Sequence, residues 1–557
     1  MKILFFIFGI LLILAAVFAK QIGIDNDSGW GAGRVLILEA GGLLVSVGVV
    51  IHFFGGWASR VAGNFTALIH DTISRPVRIA IASLMAAVLV LTSYVWFIQL
   101  NQRSAAQEYD YYIELAKGFK DGNLYLADTP SAALLALNNP YDYFQRREMN
   151  VDDFPWDVSL YKNRFYIYWG PVPALLVSIL SRDQLSRTGD FHLALVFACG
   201  LFIYSALLIA NFWHRSLQNT PAWLLGLLLT VVGISTPLTI MLKGAKVYEA
   251  AIFGCQFFLV GGCFWAYSSF HGDKPVIWKL ALASAHWALA AGTRIIVLPA
   301  VLFCAFFTVV YIIKVFKIDA ANMHLALFAA GTVPLALAGL GLAWYNWARY
   351  DSIFEFGLTY QLANIDYTNF QNVFTLQRIP QNLSLYFFHP LKVASRFPYL
   401  TRIEYLPSND RLAGLIYIAP YVFLLPLISL FRWINHLWLS KGVFTKDAGE
   451  LPSETWLFFT LTGSGLLSLA IILSYYFVAM RFMADFMPLL MILTTILIGR
   501  ESDRLKNKPA LTKILMITAA SLAIVTITAN ILLAIPGSGT SFMVNQLNTL
   551  SKFLGLK

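Results

Sequence analysis

Residues 79–99 read IAIASLMAAVLVLTSYVWFIQ, twenty-one residues without a charge, and residues 108–122 that follow shortly after read EYDYYIELAKGFKDG. The first stretch is long enough to cross a hydrocarbon core as a helix, since about 20 apolar residues suffice at 1.5 Å per residue. The second returns at once to acids interleaved with tyrosines, the composition of a membrane boundary. A chain that alternates such segments is a polytopic membrane protein, and composition agrees. Of the 557 residues, 58% are hydrophobic and 13% charged, with a mean hydropathy of +0.67. A water-soluble surface needs more charge than that.

Comparable runs lie at 2–19, 35–54, 190–213, 222–241, 246–269, 295–316, 324–347, 413–432, 454–477, 482–499 and 511–534, with two shorter ones at 168–182 and 278–293. Runs of this length favour helices over the alternating ten-residue strands of a membrane barrel. The first 20 residues fit either a signal peptide ending at Val17-Phe18-Ala19 or a first span, and both leave residue 21 outside. Lysine and arginine gather on the cytoplasmic side of short loops. On that rule Arg75 with Arg78, Lys274 with Lys279, Lys314 with Lys317, and RESDRLKNKPALTK (500–513) face the cytoplasm. These assignments are mutually consistent when 278–293 crosses and 168–182 dips in from outside and returns. The expected fold is an all-α polytopic membrane protein of about 13 transmembrane helices, with large external loops at 100–167 and 348–412 bearing interfacial helices. Residues 1–78 add N-terminal spans to a core at 79–500, and 501–557 add a C-terminal span and tail.

The net charge of +10 is spread through short loops, so membrane lipid rather than nucleic acid is the implied partner. Cys199, Cys255, Cys263 and Cys304 all lie in apolar runs, where they act as small hydrophobes and give no disulfide framework. His389 stands in an external loop and His192 and His324 near span ends, without a metal-ligand spacing. A divalent cation held by carboxylates stays open.

Charges at the outer helix ends are the candidate functional groups. Lys243, Lys246, Arg294 and Arg481 stand at outer ends against the orientation rule. Snorkelling accounts for each singly; together they form a cationic rim at headgroup depth, suited to a lipid phosphate. Asp110 opens the segment DYYIELAKGF, in which Tyr111, Leu115 and Phe119 recur every four residues, so it begins an interfacial helix with a carboxylate in its first turn. Glu108 and Glu114 read equally as hydrated loop ends, Glu249 opens the span after Lys246, and Asp485, one helical turn below Arg481, is expected to pair with it.

The order of EYDYYIELAKGFKDGNLYL (108–126), WDVSLYKNRFYIYWGPVPALL (156–176), LKGAKVYEAAIFG (242–254), LAAGTRIIVLPA (289–300), WYNWARYDSIFEFGLTYQL (344–362) and MRFMADFMPLL (480–490) resembles the GT-C superfamily of polytopic membrane glycosyltransferases, which includes protein O-mannosyltransferases and lipid A aminoarabinose transferases. The resemblance covers about 79–500 and rests on the collinear series, each string being short and degenerate. It implies an inverting transfer of a sugar from a polyprenyl-phosphate donor to an acceptor hydroxyl on lipid, glycan or protein at the external membrane face; the short loops fit a bacterial cytoplasmic membrane. In the superfamily an acid of the first external loop is the base, which maps onto Asp110 with Glu108 as competitor. A later acid maps onto Glu249, and the donor-phosphate cations onto Arg481, Arg294, Lys246 and Lys243. Tyr111, Tyr112, Tyr166 and Tyr168 are expected to line the site, because aromatic faces pack on sugar rings. A polymerase or ligase of lipid-linked glycans, or a transporter, is the alternative; a transporter places its charges near the midplane.

Overall fold

The computed structural model describes residues 9–15, 74–99, 109–235, 237–272, 274–316, 321–364, 367, 373–394, 398–405, 410–439 and 452–535. Two compact units divide the chain. One comprises residues 1–81, 393–401 and 536–557; its described part is helical at 9–15 and contains the start of the helix Arg75–Gln99. The other, residues 82–392 with 402–535, holds the features below. The proposed spans at 2–19 and 35–54 and the candidate Glu108 lie outside the described residues, apart from that first helical stretch.

The chain is predominantly helical. Seven described helices are long and apolar enough to cross a membrane: Arg75–Gln99, Asp190–Ser216, Val247–Ser269, Ile295–Val315, Leu325–Tyr350, Ser453–Ser474 and Pro509–Ala534. In chain order the elements used here are α1 (Arg75–Gln99), α2 (Tyr111–Lys120), β1 (Ser159–Tyr161), β2 (Arg164–Tyr166), α3 (Val172–Val177), α4 (Asp190–Ser216), α5 (Ala222–Ile234), α6 (Leu238–Lys243), α7 (Val247–Ser269), α8 (Ile277–Thr293), α9 (Leu298–Val315), α10 (Ala321–Tyr350), α11 (Ile379–Phe388), β3 (Leu400–Tyr405), β4 (Asp410–Leu412), α12 (Leu424–Leu439), α13 (Pro452–Ser474), α14 (Met487–Arg504) and α15 (Pro509–Ala534).

Helix α7 is the centre: 83% of its most apolar window is buried, against 28% for α1 and for α15. Its sequence explains this. Without a hydrophobic force between helices in lipid, packing depends on close approach, and α7 carries Gly254, Gly261 and Gly262. A methyl group at Gly261 would meet the rings of His286 and Tyr204, and one at Gly262 would meet Trp287. Helices α4 and α8 therefore close onto α7. Tyr204 Oη and His286 Nε2, 2.8 Å apart, tie the outer pair, and the Trp265 indole donates to Tyr204 Oη at 3.1 Å. Helix α1 joins through Tyr94, whose hydroxyl donates to the Gly233 carbonyl at 2.7 Å.

Two apolar runs that read as continuous spans are broken. The 222–241 run divides into α5 and α6 around Ser235 and Pro237, because proline cannot continue the hydrogen-bond ladder. The 413–432 run begins with a short helix, Leu415–Ile418, and a 3₁₀ turn, Pro420–Phe423, before α12. The 168–182 run contains α3, a six-residue helix.

The segment between α2 and α3 folds as the helical turns Ala132–Leu135 and Tyr143–Glu148 and a β1–β2 hairpin. Lys162 and Asn163 at the hairpin tip have φ of +46° and +58°, as a tight two-residue turn requires. Residues 351–363 fold over this segment: the Leu160 amide donates to the Tyr360 carbonyl at 2.9 Å and the Leu362 amide to the Val158 carbonyl at 2.8 Å. The sequence separates these partners by about two hundred residues, yet they form one cap.

Candidate active site

Beneath that cap lies a cavity of about 1130 Å³. Its walls come from the 156–171 segment, the start of α7, the α8–α9 junction, the end of α10, the 354–367 segment and residues 471–482. Apolar Ile296, Leu298, Leu342 and Ile471 line it, together with the polar and charged Asp157, Arg294, Arg349, Glu355, Gln361 and Arg481 and the rings of Tyr168, Trp169 and Tyr248. The lining thus mixes apolar and charged groups, and candidate spans supply these apolar residues.

Asp157 is held in an unusual backbone conformation, φ +61°, just ahead of β1. Its carboxylate accepts the Tyr248 hydroxyl proton and also interacts with the Gln361 side chain. Burial pushes its pKa above the usual carboxylate value; hydrogen bonds from Tyr248 and Gln361 and the Arg481 charge oppose that rise. Glu355 instead serves its own loop, accepting from the Gly357 amide at 2.6 Å.

The guanidinium of Arg481 lies over Tyr248 at 4.8 Å from the ring centroid and over Phe482 at 5.2 Å, cation–π contacts that hold a charge without neutralising it. Arg294 forms an ion pair with Asp485, their side chains 15% and 5% exposed. The expected Arg481–Asp485 pairing is therefore replaced. Met480–Asp485 is a 3₁₀ turn, in which a four-residue spacing does not stack side chains as an α-helix does. Arg294, at the break between α8 and α9, reaches Asp485 across 191 positions of sequence. Arg349 is 4% exposed and fixed by Asn346 Oδ1 within α10 at 2.9 Å and by the Ile167 carbonyl at 2.8 Å, the second bond tying α10 to the segment before α3.

Gly170 explains how α3 reaches the site. Its amide donates to the Thr293 carbonyl at 3.1 Å, and an added methyl group would strike the Gly292 backbone. Only glycine allows α3 to enter against the end of α8, immediately before Arg294.

Of the residues singled out from sequence, Arg294, Arg481 and Tyr168 line the cavity. Asp110 and Asp190 instead form a reciprocal cap: Asp110 Oδ1 accepts from the Asp190 amide at 2.7 Å, and the Asp190 carboxylate accepts from the Tyr112 amide at 3.1 Å. Each acid serves the N-terminus of the other's helix, α4 and α2, where the dipole favours negative charge. Burial raises the Asp110 pKa, the Asp190 amide bond opposes it, and Glu114 adds to the rise. Glu249, 8% exposed, accepts from the Lys246 amide at 3.0 Å and caps α7. Lys246 is exposed at that N-terminus, and Lys243 ends α6. Tyr111 stands one ring behind the cavity, 5.3 Å edge-on from Trp169, and its hydroxyl donates to the Trp156 carbonyl. Tyr112 is fully buried, and Tyr166 packs against Tyr350 at 5.3 Å.

The cavity residues without a sequence assignment are Asp157, Tyr248, Gln361, Glu355 and Arg349. Asp157 lies inside a string that carries the resemblance, but its inward aim depends on the left-handed backbone and the cap. Among the described residues no group of three or more His, Cys, Asp or Glu side chains stands together as a metal site. Comparison with known protein families, curated proteins and solved structures finds no match for this chain.

Proposed function

We propose that the chain is a membrane glycosyltransferase of the GT-C kind, moving a sugar from a polyprenyl-phosphate donor to an acceptor hydroxyl inside this cavity. The observation that carries the reading is one chamber lined by a partly buried, hydrogen-bonded carboxylate, Asp157, by two guanidiniums, Arg481 and Arg294, and by apolar side chains of the spans. An amphipathic donor needs both surfaces. In this reading the protein has about 13 spans, loops 100–167 and 348–412 lie outside, and the site faces the exterior of a bacterial cytoplasmic membrane.

Asp157 accepts the acceptor hydroxyl's proton as the new C–O bond forms at the anomeric carbon. The bond from that carbon to the phosphate oxygen breaks, and the electron pair departs with the phosphate. That leaving group requires positive charge rather than a proton, and Arg481 supplies it, with Arg294, already paired to Asp485, beside it. Attack opposite the departing phosphate inverts the anomeric centre. Trp169, Tyr168 and Tyr248 offer ring faces to the sugar. Geometry favours Asp157 over Asp110 as the base, since the Asp110 carboxylate is committed to the Asp190 amide.

The test is mass analysis of envelope lipids and glycans from cells making the native chain, Asp157→Asn or Asp110→Asn at equal abundance. The reading expects Asp157→Asn to abolish one sugar modification and to leave its donor lipid accumulated. An unchanged profile with Asp157→Asn refutes that assignment. Loss with Asp110→Asn alone returns the base to the α2 N-terminus.

A further inference from the structure

The proposed base and the proposed phosphate cation stand on irregular stretches of chain. Asp157 belongs to the loop before β1, and Arg481 to the 3₁₀ turn Met480–Asp485. Both rest on one ring. Tyr248 donates its hydroxyl to the Asp157 carboxylate, 91 positions away in sequence, and the Arg481 guanidinium lies 4.8 Å from the centroid of the same ring. Phe477 and Phe482, the other rings against Arg481, belong to its own stretch of chain, so Tyr248 supplies the contact from another element. The ring is itself fixed. It stands in the first turn of α7, the most buried of the candidate spans, and Trp169 meets it edge-on at 5.3 Å and 81°. A tyrosine on a rigid element thus touches both groups.

We infer that Tyr248 is a positioning residue, one that sets the distance between the Asp157 carboxylate and the Arg481 guanidinium and keeps the two from pairing; the inference rests on the transferase reading. Opposite charges that act on one another in a partly enclosed chamber tend to close into an ion pair. Among the described residues Asp157 and Arg481 form none. A closed pair would lower the basicity of the carboxylate and occupy the guanidinium's donors, so neither group could serve a substrate. The phenol prevents this by giving the carboxylate a neutral donor and the cation a ring face, each of which leaves the charge in place. The Gln361 side chain is a second hydrogen-bond partner of Asp157, from the cap. Tyr168, Tyr475 and Tyr476 are the further titratable groups around the carboxylate. As phenols, with a usual pKa of about 10, they stay neutral while a carboxylate titrates.

The experiment uses the full chain in nanodiscs with two variants. Tyr248→Phe keeps the ring and deletes the hydroxyl, and Tyr248→Leu deletes both. Infrared difference titration, with the Asp157 band assigned by its loss in Asp157→Asn, reads the carboxyl group without turnover. The Tyr248 hydrogen bond favours the ionised form, so Tyr248→Phe should move the Asp157 midpoint up by about one pH unit, the effect of losing one hydrogen bond to a charged group. The acid limb of kcat/KM for transfer from a polyprenyl-phosphate sugar should move up with it. Tyr248→Leu should in addition raise the donor KM about threefold to tenfold, as loss of a cation–π contact implies, whereas Tyr248→Phe should change it less. A purely structural tyrosine would lower the melting temperature and leave the midpoint alone. A midpoint that stays in place in folded Tyr248→Phe overturns the inference. No transfer by the native chain, with the infrared shift present, refutes the transferase reading instead and leaves the hold of Tyr248 on Asp157 standing.

Discussion

Replacing Asp157 by asparagine removes one proton acceptor while disturbing little else. The residue sits at φ +61°, a conformation that asparagine tolerates nearly as well as aspartate, so the backbone has no reason to move. The amide oxygen still accepts from Tyr248, preserving the hydrogen bond that orients the side chain. What is lost is general-base capacity, worth about 10² to 10⁴ in rate, or roughly 3 to 5 kcal/mol at about 1.4 kcal/mol per factor of ten. Stability should move the other way. Burial raises the Asp157 pKa in the fold, so this group's contribution to stability is full below the ordinary carboxylate value and is lost as pH rises through the raised value. At neutral pH the partly buried charge costs stability, and asparagine relieves that cost. The assay is transfer from a purified polyprenyl-phosphate sugar, with thermal unfolding of the same samples in parallel. A variant with at least about a hundredfold lower turnover and an unchanged or higher melting temperature is expected. Full activity, or inactivity explained by unfolding, refutes the argument.

Further outcomes follow from the same geometry. Transfer by the native chain should fall on acidification through a pKa above the ordinary carboxylate value, because Asp157 must be ionised to accept a proton; a pH–rate profile of kcat/KM without that limb contradicts the assignment. Arg294→Gln leaves Asp485 buried without its ion-pair partner and should destabilise the fold by about 3–5 kcal/mol, whereas Arg481→Gln, which breaks no ion pair, should keep the melting temperature and lose transfer; unfolding and activity curves separate the two. Gly170→Ala forces a methyl group onto the Gly292 backbone and should cost about 1–3 kcal/mol together with activity, measured by thermal unfolding and transfer assay. Asp110→Ala removes the acceptor from the Asp190 amide and should cost about 0.5–2 kcal/mol of stability, read from the same unfolding curves.

The helices were legible wherever local composition decides them. The apolar run at 246–269 appears as Val247–Ser269, and the ambiguous run at 278–293 as Ile277–Thr293, a helix packed on α7. The helix Tyr111–Lys120 was legible in its four-residue spacing, with Asp110 as the residue before its first turn. The breaks at Pro237 and Pro420 carried their own signal, which high hydropathy hid. Arg294 and Arg481 could be singled out because cations at outer helix ends depart from the loop-charge rule. Asp157 could not: a loop acid between Trp156 and Val158 becomes a cavity group only when the 351–363 segment, nearly two hundred residues later, pairs with it. The same distance hid the Arg294–Asp485 pair, and the reciprocal cap hid what Asp110 does locally. Sequence periodicity reports elements, whereas the polar partners inside a helical assembly are set by which ends meet.

The central claim is that a lipid phosphate enters this chamber beside Arg481. Photolabelling of the purified chain in nanodiscs with a benzophenone-bearing short polyprenyl phosphate, followed by peptide mass analysis, addresses it directly. Labels on the apolar lining residues Leu298, Leu342 or Ile471 that fall at least about tenfold with Arg481→Gln are expected, in line with loss of a charge-assisted contact. Labels confined to the outer surfaces of α1 and α15, and indifferent to Arg481, would contradict it.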